Sequence, residues 1–149
     1  MTPDEARAAL EQVEQTDNRM AQRMHWPFQR HAMFGLAEAM IVMGLGISGS
    51  EGVAACGVGV ALVPILMYQD RSRYGMFVSG WSSRKARPLM VGLLAFLVGA
   101  IALSLSLRWD EGTNPLVIGL FGIVLTVCTW ASIRWEKLYR EELSRKAQR

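Results

Sequence analysis

The chain has 149 residues, 51% of them hydrophobic, and its 16 Lys and Arg against 13 Asp and Glu leave a net charge of +3. The apolar residues collect in four blocks without the polar face that a soluble helix needs, which argues against a soluble helical domain. The basic residues cluster beside the ends of those blocks and form no basic face, so nucleic acid is not an expected partner.

Residues 2–24 predict a cytoplasmic amphipathic helix. Thr2 can cap it, Pro3 suits its first position, and Glu5 completes a capping box. Ala6, Leu10, Val13, Met20 and Met24 then form a thin apolar stripe, interrupted by Asp17. Such a stripe suits a bilayer surface, the other cytoplasmic segments or a partner helix. Pro27 ends this helix, and Trp26 and Phe28 read as interface residues at the membrane entrance. The segment lacks the layout of a cleavable signal peptide, so the first membrane helix is expected to act as the insertion signal.

The four blocks, 31–48, 52–69, 89–107 and 116–133, are each about 18–19 residues long. At about 1.5 Å per residue, each approaches the roughly 30 Å of bilayer hydrocarbon. The turn Gly49–Glu51 is short enough to make the first two helices a tight antiparallel hairpin, and Pro64 predicts a kink in the second. The loop Asp70–Pro88 places an aromatic centre, YGMFVSGW, between Arg71 and Arg73 on one side and Arg84, Lys85 and Arg87 on the other. That pattern predicts a segment dipping into the headgroups, held by basic membrane-surface contacts. A short outer loop, Arg108–Pro115, joins the second hairpin. Trp109 marks the outer interface, Trp135 and Tyr139 the inner one, and residues 134–149 form a charged helical extension in which Glu142 and Lys146 are spaced for an i,i+4 pair.

Fifteen of the 16 Lys and Arg lie before the first block, in the middle loop or after the fourth block, and only Arg108 lies in the other two connections. This positive-inside pattern places both termini and the middle loop in the cytoplasm. The expected architecture is all-α: a multi-pass integral membrane protein, of bacterial inner-membrane type, with a four-helix transmembrane bundle. The organisation is 1–30 as N-terminal helix and membrane entry, 31–133 as the transmembrane domain, and 134–149 as the cytoplasmic extension.

Glu38 is the one ionisable side chain well inside an apolar block, where a carboxylate costs roughly 2.5–3.5 kcal/mol on insertion scales. It is either a proton or cation site or a packing contact, with Arg30 and His31 as possible partners. Small residues recur at Gly35, Ala39, Gly44, Ala55, Gly59, Gly92, Ala95, Gly99, Gly119 and Gly122, which predicts close helix approach and little room for a large cavity. Cys56 and Cys128 read as packing residues, and Ser104, Ser106, Thr126, Thr129 and Ser132 as hydroxyls bonding back to their own helices. His25 and His31 lack further ligands for a metal site. No nucleophile set, phosphate loop or cysteine pair suggests an enzyme or a cofactor.

The stretch LAEAMIVMG, Leu36–Gly44, resembles the first helix of the small multidrug resistance transporters, which are also four-helix proteins with one membrane glutamate. This chain departs from them in its N-terminal helix, basic middle loop and charged tail. The order of Arg-rich helix, hairpin, basic loop (Tyr68–Arg87) and second hairpin is similar to small four-helix membrane proteins common in actinobacteria, a resemblance that brings no known activity with it. The expected function is that of a non-enzymatic accessory, scaffold or regulatory subunit, in contact with lipid and with a protein partner or a second copy. The alternative is an oligomeric proton-coupled transporter or channel using Glu38.

Overall fold

The structure, a computed structural model, describes Thr2, Glu5, Gln12 and residues 26–74, 83–109 and 114–146, the side chains of Tyr74 and Lys146 excepted. These residues are helical, with no strand among them. The helices are α1 (Phe28–Gly46), α2 (Ser50–Tyr74), α3 (Arg87–Ser106) and α4 (Pro115–Lys146). Near the N-terminus, the Thr2 N–H donates to Glu5 Oε2 at 2.7 Å and the Glu5 N–H to Thr2 Oγ1 at 3.3 Å, the two bonds of the capping box. The expected stripe from Ala6 to Met24 and the aromatic centre of the middle loop lie outside the described residues.

Three helices are long and apolar enough to cross a membrane: Ser50–Arg73, Arg87–Ser106 and Pro115–Arg145. The fourth, α1, falls short because its 19 residues include Gln29, Arg30, His31 and Glu38. Its position compensates. α1 lies inside, packed extensively against α2 and α4 and to a lesser degree against α3, while α3 also touches α4.

Several boundaries differ from the hydropathy blocks. α2 continues through Pro64 and past the apolar stretch to Tyr74, so Arg71 and Arg73 stand on its last turn. Charge ends an apolar block without ending a helix. α4 is a single helix across the expected boundary at 133 and 134. Its start is set by Asn114, whose Oδ1 accepts the Leu116 N–H at 3.0 Å ahead of Pro115 at the first helical position. Pro27 is extended and serves as the residue from which α1 starts.

Glycine governs how close α1 comes to its neighbours. A Cβ at Gly44 would lie 2.6 Å from the Cys56 nitrogen and the Gly52 oxygen, and one at Gly59 would lie 2.7 Å from the Ala37 oxygen. Along α2, Gly52, Ala55, Gly59, Leu66 and Asp70 form the buried seam on α1. On the other side, a Cβ at Gly35 would meet the Leu125 carbonyl oxygen at 2.7 Å. The main core therefore joins α1, α3 and α4, through Ala39, Val42, Leu93, Ala100, Leu120, Val124, Cys128 and Ala131. Among the described residues α2 is held mainly by α1.

The other small residues of the pattern behave differently. Gly92, Gly99, Gly119 and Gly122 meet nothing within 4 Å at the Cβ position. Their substitutions should therefore separate from those on α1. Gly35→Val should lower the thermal stability of the detergent-solubilised chain by about 1–3 kcal/mol through forced separation of α1 from α4. Gly99→Ala, which adds a methyl in open space, should leave the melting temperature within about a degree or raise it slightly.

Candidate functional site

Polar side chains that hydrophobic blocks would keep apart converge at the basic end of the bundle. Arg30, on the first turn of α1, forms a two-pronged pair with Asp70 near the end of α2, Nε to Oδ1 at 2.8 Å and Nη2 to Oδ2 at 2.6 Å. This fork geometry orients both groups as well as pairing their charges. The guanidinium also lies over the Trp26 ring, with Cζ 3.3 Å from its centroid. Trp26 stacks on Trp135 at 5.8 Å, and Trp135 on Tyr139 at 5.1 Å. Trp26 and Trp135 are thus buried and hold the helices together, where the sequence had placed them at a lipid interface.

His31 ties α1 to α4. Its Nε2 lies 2.9 Å from Glu136 Oε2 and its Nδ1 lies 2.8 Å from Ser132 Oγ. With Glu136 ionised, Nε2 carries the hydrogen and donates to the carboxylate. Arg140 approaches the other oxygen of Glu136 at 3.8 Å. Nearly two turns beyond Glu136 on α4, Glu142 accepts the Ser83 hydroxyl at 2.5 Å, and Ser83 Oγ accepts the Ala86 N–H at 3.1 Å, which fixes the entry to α3.

These bonds correct the expected partners of Glu38. Arg30 is committed to Asp70, and His31 to Glu136 and Ser132. Glu38 lies two helical turns further along α1, beyond the reach of Arg30 and His31, and has no hydrogen bond or ion pair among the described residues. Its half-buried side chain lines a cavity of about 240 Å³ bordered by Phe34, Val63, Met67, Met90 and Leu93. Arg30, Asp70, Trp26 and Trp135 border its basic end. A bundle expected to have little internal space therefore has a modest one, because α2 does not pack extensively on α3.

The opposite end is packed more tightly. Ser104 donates to the Val42 carbonyl at 2.6 Å, a bond between helices where one within its own helix was expected. Ser106 and Thr126 do bond back, to Leu103 and Gly122, both at 2.8 Å. The Thr129 hydroxyl, buried beneath Gly35, has no hydrogen-bond partner among the described residues. Both cysteines are free, with Cys128 in the core. Arg71, Arg73, Arg84, Lys85 and Arg87 are all exposed, on the end of α2, the following turn and the start of α3. Among the described residues no group of three His, Cys, Asp or Glu could hold a metal ion.

No protein-family model, curated protein or solved structure matches the chain. The clasp comes first: Asp70→Ala strips the counter-ion from a guanidinium only 20% exposed. It should cost about 2 kcal/mol in denaturant unfolding, discounted for that exposure, and the double change Arg30→Met with Asp70→Leu should recover much of the loss.

Proposed function

We propose that this chain is a non-enzymatic accessory or regulatory subunit of a bacterial cell membrane, crossing the bilayer four times with both termini in the cytoplasm. The observation that carries this reading is the commitment of the polar groups at the basic end. Arg30, Asp70, His31, Ser132, Glu136, Ser83 and Glu142 are engaged with one another as helix fasteners, so among the described residues this cluster presents no open nucleophile or acid–base pair to a substrate. What remains available is surface.

The membrane setting is supported by an inverted distribution of side chains. Val53, Val58, Val60, Val91, Leu94, Val98, Ile118 and Ile123 stand half-exposed or more on the outward faces of α2, α3 and α4. The charges of α1 lie inside. Hydrocarbon favours that arrangement and water opposes it. On this reading α1 is the fourth span, sheltered by the other three, and α1 with α2 forms the first antiparallel hairpin. Arg71, Arg73, Arg84, Lys85 and Arg87 sit at the cytoplasmic headgroups, where each basic residue adds about 1 kcal/mol of attraction to anionic lipid. The cytoplasmic part of α4 and the N-terminal segment are the surfaces for a protein partner or a second copy. Nucleic acid has no place in this arrangement.

A second reading, an oligomeric proton-coupled transporter or channel, is favoured by one observation, the unpaired Glu38 on a cavity. Against a pathway within one copy, the lining stops at the level of Glu38, Val63, Leu93 and Ala131, short of the tightly packed far half.

Gentle extraction of the native protein and native mass spectrometry test the first reading, which expects a stoichiometric larger partner. A homodimer that, alone in liposomes, moves protons or a solute at a rate abolished by Glu38→Gln would sink it in favour of the second. A fluorescent protein fused after residue 149 should fluoresce, and a reporter active only outside the cytoplasm should work when inserted after Asp110.

A further inference from the structure

Both functional readings leave His31 with no role beyond fastening. Its side chain is only 3% exposed, yet both ring nitrogens are engaged, Nδ1 at 2.8 Å from Ser132 Oγ and Nε2 at 2.9 Å from Glu136 Oε2. Around the ring stand Arg30 on its own helix, Asp70 on α2, and Glu136 and Arg140 on α4. α3 carries a single charged residue, Arg87, which is exposed. The two cations and two carboxylates of this cluster cancel, so it is balanced while the imidazole is neutral. The cations are held unequally. Arg30 makes two bonds to Asp70 and lies over the Trp26 ring. Arg140 stands 3.8 Å from Glu136, beyond hydrogen-bond reach, and is 43% exposed.

In the neutral state Nε2–H donates to Glu136 and Nδ1 accepts the Ser132 hydroxyl. A proton added at Nδ1 turns that nitrogen into a donor. Ser132 Oγ accepts it once the hydroxyl hydrogen swings to the carbonyl of Cys128, four residues back on the same helix, a bond open to helical serines in general. The ring is thus hydrogen-bonded in both states without moving, and what the proton upsets is the charge balance. A protonated His31 neutralises Glu136 by itself at 2.9 Å. The cation left over is the exposed and loosely held one, Arg140.

We propose that His31 is a proton-uptake site of the basic end, at which the added proton lets His31 replace Arg140 as the counter-charge of Glu136 and turns Arg140 outward from α4. The site is separate from Glu38, which lies two turns further along α1. Uptake requires neither transport nor a protein partner, so the proposal goes beyond both functional readings and can fail without either. Its consequence for a regulatory subunit is a cytoplasmic α4 surface that gains an outward positive charge on acidification, while α1 and α4 stay joined.

The test uses the full chain in lipid nanodiscs with isotope-labelled imidazole nitrogens, in a His25→Gln background that leaves His31 as the single histidine. NMR should find the Nε2–H tautomer at about pH 8 and a doubly protonated ring before about pH 5 is reached. In the same samples, phenylglyoxal modification of Arg140 is read by mass spectrometry as a ratio to the exposed Arg134, so that the reagent's own pH dependence cancels. Proton and Arg140 compete at one carboxylate, so the ratio should rise about twofold across the titration, the room left to a side chain that starts 43% exposed. His31→Gln should hold the ratio level, and by reciprocity Arg140→Gln should let His31 take its proton at higher pH. A ring that stays neutral to about pH 5, an Nδ1–H tautomer at about pH 8, a level ratio in the parent chain, or an equal rise in His31→Gln would each overturn the proposal. Should His31→Gln fail to fold, Arg140→Gln decides: a titration moved to higher pH supports the proposal, and an unmoved one overturns it.

Discussion

The shelter that α2, α3 and α4 give to α1 is the constraint on which the other features depend. α1 is the one of the four helices without a stretch apolar enough to span a membrane, with Arg30, His31 and Glu38 along it, and such groups are tolerated in an apolar surrounding only where protein covers them. Cover demands close approach, and close approach explains the glycines at 35, 44 and 59, each set where a neighbouring backbone lies within 3 Å of the missing Cβ. Gly92, Ala95, Gly99, Gly119 and Gly122 face outward and have no such duty. The polar fasteners follow from the same placement. With α1 central, Arg30 pairs with Asp70 of α2, and His31 with Ser132 and Glu136 of α4.

This geometry divides the bundle into two parts of unequal firmness. α1, α3 and α4 share the core around Val42, Val124 and Cys128. α2 is joined through one seam, closed at one end by the Gly44 and Gly52 contact and at the other by the Arg30–Asp70 clasp. Between those two fastenings, on the side facing α3, lies the cavity. Its existence and its position are consequences of a helix attached along one face.

Legibility in the sequence varied with the kind of signal. The helices were readable because long apolar runs are local, and α3 at Arg87–Ser106 differs from its hydropathy block by two residues at one end and one at the other. The ends of α2 and α4 were not, since hydropathy reports which solvent a segment prefers and says little about whether its backbone stays helical. Thr2 and Glu5 were readable as a cap because three residues separate them. The Arg30–Asp70 and His31–Glu136 pairs span 40 and 105 residues, and no spacing rule reaches that far. Trp135 looked like an interface anchor because its chemistry suits that role, and only its place on the inner face of α4, beside Trp26, gives it another. Glu38 stood out as a charge in an apolar run, but the space before it depends on α2 and α3 standing apart, which nothing in either helix announces.

α4 behaves as a lever. Its 32 residues, at about 1.5 Å each, make a rod of roughly 48 Å, longer than the bilayer hydrocarbon is thick. Where Gly35 presses on Thr129 the rod has a fulcrum, and Glu142 lies about 20 Å beyond it at the same rise per residue. A rotation of about 5° there displaces Glu142 by roughly 2 Å, more than a hydrogen bond tolerates. The Ser83–Glu142 bond, and with it the entry to α3, is therefore a gauge of tilt: a small angular change within the bundle becomes a made or broken contact at the basic end.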